Sequence, residues 1–129
     1  MTRIPEQDCD IIEQSIYLPM VITILNRDRT IIEKSPLKLP QPYLDMVEDA
    51  LKTVQRELAN VRKYLRKENI KVSELKRDDT FTVYCFIYKG YEERHNYFNL
   101  RLRNRVEELL VYFLYKRLIP DETQNALLQ

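Results

Sequence analysis

The sequence contains one glycine, Gly90, among 129 residues. The phosphate-binding loops of P-loop and dinucleotide-binding proteins need several glycines, because side chains would keep the backbone amides away from the phosphates. The Gly-x-Ser-x-Gly turn of the α/β-hydrolases is missing for the same reason. Tight hairpin turns also favour residues that accept positive φ, so few hairpins are expected. The scarcity of glycine therefore excludes these three motifs and favours a mainly helical chain.

Histidine and cysteine are also scarce: the sequence has one histidine, His95, and two cysteines, Cys9 and Cys85. Two cysteines in a chain long enough to build its own core predict free thiols rather than a disulfide framework. Cys85 lies in an apolar run, which indicates a buried structural thiol rather than a nucleophile. Glu92 and His95 have the Glu-x-x-His spacing of di-iron bundles, but those proteins need two such motifs and two further glutamates. We therefore predict no catalytic residues, no metal site and no cofactor.

Neither sign of charge dominates, since 21 Lys and Arg face 20 Asp and Glu. The chain thus lacks the overall field that draws a protein onto nucleic acid or an anionic membrane. The first ten residues lack the apolar run of a signal peptide, and the longest apolar stretch, residues 16–25, is about half of a membrane span. The chain has the general look of a small bacterial protein, and we expect it in the cytoplasm with no membrane partner.

From residue 42 to residue 67 the apolar residues recur in alternating steps of three and four, which is the spacing of a heptad seam. Acidic residues lie in the first turns and basic residues in the last, as the helix dipole favours. The pattern predicts a helix roughly 39 Å long. Either other helices of the chain or a second copy must cover its seam, and we predict a homodimer. The seam residues are Leu44, Val47, Leu51, Val54, Leu58, Val61 and Leu65.

The remaining segments predict an α+β fold that is mainly helical. A helix is expected over about 18–34, with a hairpin turning at residues 26–29 as the alternative. Strands over 70–75 and 80–88 form a β-hairpin, and a polar loop leads into a C-terminal helix over 99–118. We expect one globular domain over 1–119, with 1–10 as an N-terminal extension and 120–129 as a frayed tail.

The stretch from Tyr88 to Arg105 alternates aromatic rings with arginines. Such residues are enriched at protein interfaces, and rings beside arginines also bind single-stranded nucleic acid. Arg101 and Arg105 lie one turn apart near the start of a helix, where positive charge is disfavoured, so a carboxylate is expected to face them. The predicted partner-binding residues are Tyr88, Tyr91, Arg94, Tyr97, Phe98, Arg101 and Arg105.

These patterns favour a non-enzymatic protein-interaction or regulatory module that self-associates through the long helix. The alternative is a nucleic-acid-binding regulator, in which Arg103 would join the same arginines and aromatic rings. An enzyme would require a substrate pocket around His95, because no other residue could serve a Ser-His or Cys-His mechanism.

Overall fold

The computed structural model describes residues 2–120, in which three helices and a three-stranded sheet follow one another. The helices are α1 (Glu6–Lys34), α2 (Gln41–Lys67) and α3 (Asn99–Leu114), and a short 3₁₀-helix spans Lys116–Leu118. The strands are β1 (Ile70–Arg77), β2 (Phe81–Tyr88) and β3 (Tyr91–Phe98). The mainly helical α+β class is confirmed. The frayed tail predicted over 120–129 lies, apart from Pro120, outside the described residues.

Helix α2 forms where the heptad pattern predicts it, and α1 covers its seam. The connector over 35–40 is short, and Asp8 near the start of α1 accepts a hydrogen bond from Tyr64 near the end of α2, so the two helices are antiparallel. Six of the seven seam residues are between 0% and 8% exposed in the single chain, and Leu44 is half-buried. The prediction that a second copy covers this seam is therefore wrong, because α1 is as long as α2 and fills it from within the chain.

Helix α1 begins at Glu6, about twelve residues before the predicted start. Pro19 lies inside the helix, and the Thr23 hydroxyl donates to its carbonyl. A proline in a helix interior usually costs about 3 kcal/mol, but Ile12 and Ile16 upstream of it are buried. Their packing offsets the interruption. The predicted N-terminal extension over 1–10 and the alternative hairpin at residues 26–29 are both wrong, because α1 includes residues 6–10 and 26–29.

The sheet has one strand more than the predicted hairpin. Its order is β1-β2-β3 with both pairs antiparallel, and Asp78 closes the first turn by accepting bonds from the Thr80 and Phe81 amides. The second turn consists of Lys89 and Gly90, with φ of 48° and 91°. Two successive residues of positive φ are what a tight hairpin turn needs. Residues 89–98, predicted as a loop, are therefore a turn and a strand.

One face of β2 packs against the helices, as the alternation in its sequence predicts. Thr82, Tyr84, Phe86 and Tyr88 are all buried on that face. The opposite face carries Phe81, Val83, Cys85 and Ile87, of which only Cys85 is fully buried. The sheet thus closes one side of the helical hairpin and turns its other face outward.

Helix α3 starts directly after β3 and is fixed to the first hairpin turn. The Asn99 amide donates to the Thr80 carbonyl at 2.8 Å, and the Asn99 side chain bonds Thr82 and the Asp78 carbonyl, both at 2.7 Å. At the other end the Arg117 guanidinium bonds the Asp49 carboxylate of α2. The helix ends at Leu114 rather than at residue 118, and it crosses the α1–α2 pair. None of the helices within residues 2–120 combines the length and the apolar character that crossing a membrane requires.

Candidate protein-interaction surface

Two of the seven predicted partner-binding residues are buried and unavailable. Tyr88 is 9% exposed and Tyr97 is 7% exposed. Their rings lie on the core face of the sheet, because Tyr88 shares the inward register of Phe86, and Tyr97 pairs with the inward-facing Thr82. Their assignment to a partner site is wrong. Both rings stabilise the fold.

Tyr88 belongs to a polar cluster at the end of the bundle, centred on the buried carboxylate of Asp8. The Tyr64 hydroxyl donates to Oδ1 of Asp8 at 2.6 Å, and the Tyr88 hydroxyl donates to Oδ2 at 2.5 Å. These two bonds, with a smaller contribution from Lys89, hold the pKa of Asp8 below its usual value. The same carboxylate raises the pKa of each tyrosine to about 12. The cluster joins α1, α2 and β2, and each oxygen of the carboxylate has a donor, so it is structural.

Tyr91 and Arg94 are exposed but point to opposite sides of β3. The Tyr91 ring lies 5.6 Å from the Arg3 guanidinium, on the side of the N-terminal segment. Arg94 lies on the outer face of the sheet, where its Nε is 3.7 Å from a Glu92 carboxylate oxygen. Both residues nevertheless line one hollow of about 620 Å³ beside the N-terminal segment, and neither lines the hollow that Phe98, Arg101 and Arg105 share.

Phe98, Arg101 and Arg105 do come together, around a hollow of about 430 Å³ where β3 passes into α3. The surface, which we name the β3–α3 corner, is completed by Glu13, Tyr17, Leu100, Asn104 and Glu108. Phe98 is 56% exposed and Leu100 is 66% exposed, so two large apolar side chains face the solvent side by side. Leu100 was not among the predicted partner-binding residues. Its exposure could have been predicted from its position on α3, which is out of phase with the apolar stripe that includes Leu102 and Val106.

The charges at the β3–α3 corner are only partly compensated. Arg105 bonds Glu108 of the same helix at 2.7 Å, so Glu108 is a carboxylate of the kind that the sequence predicts for these arginines. Arg101 forms no ion pair with any residue in 2–120, and the first turn of α3 contains no acidic residue. The amide dipoles also make a helix start positive, and Glu13 of α1, which lines the same hollow, offsets part of this charge without forming an ion pair with Arg101.

His95, the single histidine, lines a hollow of about 620 Å³ between the N-terminal segment and β3, where its imidazole is held by Glu93. Glu93 accepts hydrogen bonds from the Thr2 hydroxyl, the Arg3 amide and Nε2 of His95, at 2.7, 2.9 and 2.9 Å. These hydrogen bonds lower the pKa of Glu93 to about 2, and the bond from the Arg3 amide contributes most. The imidazole stacks on Phe86 with ring centres 4.4 Å apart. His95 thus fixes the N-terminal segment to β3 through Glu93.

Cys9 and Cys85 both carry free thiols. Burial raises the pKa of Cys85 and of Cys9, which disfavours the nucleophilic thiolate. Cys85 lies 3.6 Å from the Glu92 carboxylate, which raises its pKa further. Within residues 2–120 no three His, Cys, Asp or Glu side chains are grouped so that they could hold a metal ion.

A second apolar surface lies at the far end of the α1–α2 hairpin. Ile31 lies two turns beyond Ile24, which packs beside α3, and Met46 lies one turn before Asp49, which bonds Arg117. Both side chains therefore continue the face that α3 covers, past the point where α3 ends. Leu39, in the connector, is 73% exposed. We name this surface the distal cluster; its members are Ile31, Leu37, Leu39, Tyr43 and Met46.

Comparison with known proteins places these surfaces within one family. The family model of the YhjD protein matches residues 3–118. The chain belongs to the YhjD family. The uncharacterized protein YhjD of Bacillus subtilis (strain 168) is 49% identical over 115 residues, which are 89% of this chain and 96% of that protein. No solved structure matches the chain. The family match includes the distal cluster and the β3–α3 corner, so both surfaces lie inside the region that defines the family.

Proposed function

We propose that the protein is a non-enzymatic interaction module that binds a protein partner at the β3–α3 corner. The observation that carries this proposal is the exposure of Phe98 and Leu100 beside Arg101, whose guanidinium has no carboxylate partner in residues 2–120. Apolar and aromatic anchors beside arginine are typical of the energetically dominant part of protein interfaces. A partner that places an apolar residue in the hollow and a carboxylate at Arg101 would satisfy both features.

The test combines crosslinking in a bacterial host with purification of the tagged protein and mass spectrometry. A variant with Leu100→Asp and Arg101→Glu should lose a crosslinked protein that the wild type retains, because it reverses both the apolar and the charged contribution. Leu75→Asp with Lys76→Glu is the matched control, since it makes the same change in charge at an exposed leucine and an exposed cation of β1, outside both proposed surfaces. If the corner variant and the wild type yield the same crosslinked proteins, the proposal is refuted.

The proposed self-association uses the distal cluster rather than the seam of α2. A two-fold contact sets the same patch of two copies against each other, so an apolar patch becomes its own partner. Exposed apolar side chains grouped in this way are typical of interaction sites. Light scattering on a sizing column should show a dimer for the wild type, a monomer for Leu39→Lys and Tyr43→Lys, and an unchanged dimer for Leu100→Lys. A wild type that stays monomeric at high concentration would contradict self-association.

Nucleic-acid binding is the second candidate, and the arginines that form no ion pair at the start of α3 favour it. Arg101 and Arg103 form no ion pair within the described chain, so phosphates could take the place of the missing carboxylates. The affinity for a single-stranded oligonucleotide should then fall with salt, and each of Arg101→Ala and Arg103→Ala should lower the salt slope by about one unit. The absence of binding at low salt would exclude this function. The cytoplasmic location stays a prediction from the sequence and agrees with either candidate.

A further inference from the structure

A groove of about 530 Å³ lies between α1 and α3, on the opposite side of α3 from the β3–α3 corner. Its apolar lining comes from both helices. Leu102 and Val106 are buried at its base, whereas the others remain half-exposed and open to a ligand. We name it the α1–α3 groove; its apolar residues are Met20, Ile24, Leu102, Val106 and Leu110. From Leu102 to Leu110 the apolar surface is about 12 Å long, at the helical rise of 1.5 Å per residue.

Two guanidinium groups border the groove, and they differ in whether they are already paired. Arg77, at the end of β1, bonds Glu74 at 2.7 Å. Arg103, in the second turn of α3, forms no ion pair within residues 2–120. Glu107, one turn further along α3, also lines the groove. The lining charges are thus two positive and one negative, and the available positive charge lies towards the start of α3.

The walls of the groove limit the chemistry of a ligand. Both walls are α-helices, whose backbone amides and carbonyls bond within the helix, so an extended peptide would find no main-chain partner there. The Asn99 side chain at the groove end is already bonded to Thr82 and to the Asp78 carbonyl. The groove therefore offers an apolar surface along its length and one unpaired cation at its end.

We propose that the α1–α3 groove binds a single aliphatic chain that ends in a carboxylate. The hydrocarbon chain lies along Ile24, Val106 and Leu110, and the carboxylate lies against Arg103. Burial of the methylene groups supplies affinity without requiring hydrogen bonds. The guanidinium sets the direction of the ligand through charge-assisted hydrogen bonds. This function is separate from partner binding at the β3–α3 corner.

The test is an NMR titration of the full chain with dodecanoate, below its micelle concentration and at a pH where the carboxylate is ionised. The backbone amides around Ile24, Val106 and Leu110 should shift and saturate. Dodecyltrimethylammonium, with the same hydrocarbon chain and the opposite charge, should bind at least tenfold more weakly, because it meets Arg103 with like charge. Shifts that do not saturate, or equal affinity for the two amphiphiles, would overturn the proposal.

Two charge-reversal variants on α3 separate specific binding from general electrostatics. Arg103→Glu should weaken dodecanoate binding by roughly tenfold or more, because it removes the charge-assisted bonds and adds repulsion. Arg101→Glu makes the same change in net charge two residues away, but on the side of the β3–α3 corner, and should leave the affinity nearly unchanged. Both arginines are exposed, so both variants are expected to fold. An equal loss in the two variants would show that dodecanoate responds only to net charge, and the proposal would fail.

Discussion

Shortening Leu51 to alanine tests whether the seam of α2 is filled within the chain. Leu51 is 4% exposed and lies on the seam that α1 covers. Truncating a buried leucine removes its transfer free energy and leaves a cavity, which together cost about 3 kcal/mol. With a urea dependence of about 2 kcal/mol per molar, the unfolding midpoint should fall by roughly 1.5 M. Gln55→Ala, one turn along on the exposed side of the same helix, should change the free energy of unfolding by less than about 0.5 kcal/mol.

The same samples should be measured by light scattering. A seam filled by α1 and a seam filled by a second copy predict different effects of Leu51→Ala on the solution mass as well as on the free energy of unfolding. If α1 fills the seam, Leu51→Ala lowers the stability and leaves the solution mass unchanged. Leu39→Lys should lower the solution mass and leave the free energy of unfolding unchanged, since Leu39 lies in the distal cluster, where the proposed self-association takes place. A folded Leu51→Ala variant with full stability and half the wild-type mass would refute the reasoning, because only an interface between copies behaves in that way.

Three further predictions concern buried polar groups. The hydrogen bonds to Glu93 lower its pKa from 4.5 to about 2. Its contribution to the free energy of unfolding is therefore complete above pH 4.5 and is lost as the pH falls towards 2. In Glu93→Gln the melting temperature should depend much less on pH between these two values. Asp8→Asn should destabilise the protein at neutral pH and progressively less in acid, because the Tyr64 and Tyr88 hydroxyls lower the pKa of Asp8; an equal loss at every pH would contradict this. Burial raises the pKa of Cys85, so iodoacetamide should alkylate it far more slowly in the folded protein than in urea, and similar rates would argue against burial.

The elements with strong periodicity could be predicted from the sequence. The α2 seam repeats without a miss, and β2 alternates apolar and aromatic residues, so both formed within a residue or two of the predicted bounds. The start of α1 could not be predicted, because Pro19 indicates a helix start, whereas only the packing of Ile12 and Ile16 in the core shows that the helix continues through it.

Strand β3 was missed because its sequence, Tyr-Glu-Glu-Arg-His-Asn-Tyr-Phe, has the polarity of a loop. Its charged side chains are stabilised by specific partners instead of by a hydrophobic face, as Glu93 is by the N-terminal segment. One local signal was present. Gly90, the only glycine, follows a strand and precedes a second run that contains three Tyr and Phe residues, which is where a tight hairpin turn needs positive φ.

The candidate site was predicted only in part, for reasons that differ between residues. The burial of Tyr88 follows from its register with Phe86, which the alternation of β2 already contained. The burial of Tyr97 depends on its pairing with Thr82, which requires knowledge of β3. Phe98, Arg101 and Arg105 are close in sequence, and the junction between β3 and α3 keeps them close in space. Leu100 joins them because the helix starts at Asn99 and turns its second residue away from the core.

Unequal helix lengths explain why the interaction surfaces lie where they do. Helices α1 and α2 are about 43 and 40 Å long, whereas α3 is about 24 Å long. The third helix therefore cannot cover the whole face of the α1–α2 pair, and the uncovered part is the distal cluster. The start of α3 is held by Asn99 at the edge of the sheet, which leaves the β3–α3 corner on one side of α3 and the α1–α3 groove on the other. Because the family match spans residues 3–118, these open surfaces belong to the shared fold and not to an added segment. The proposed binding functions therefore all use apolar surface that α3 leaves open.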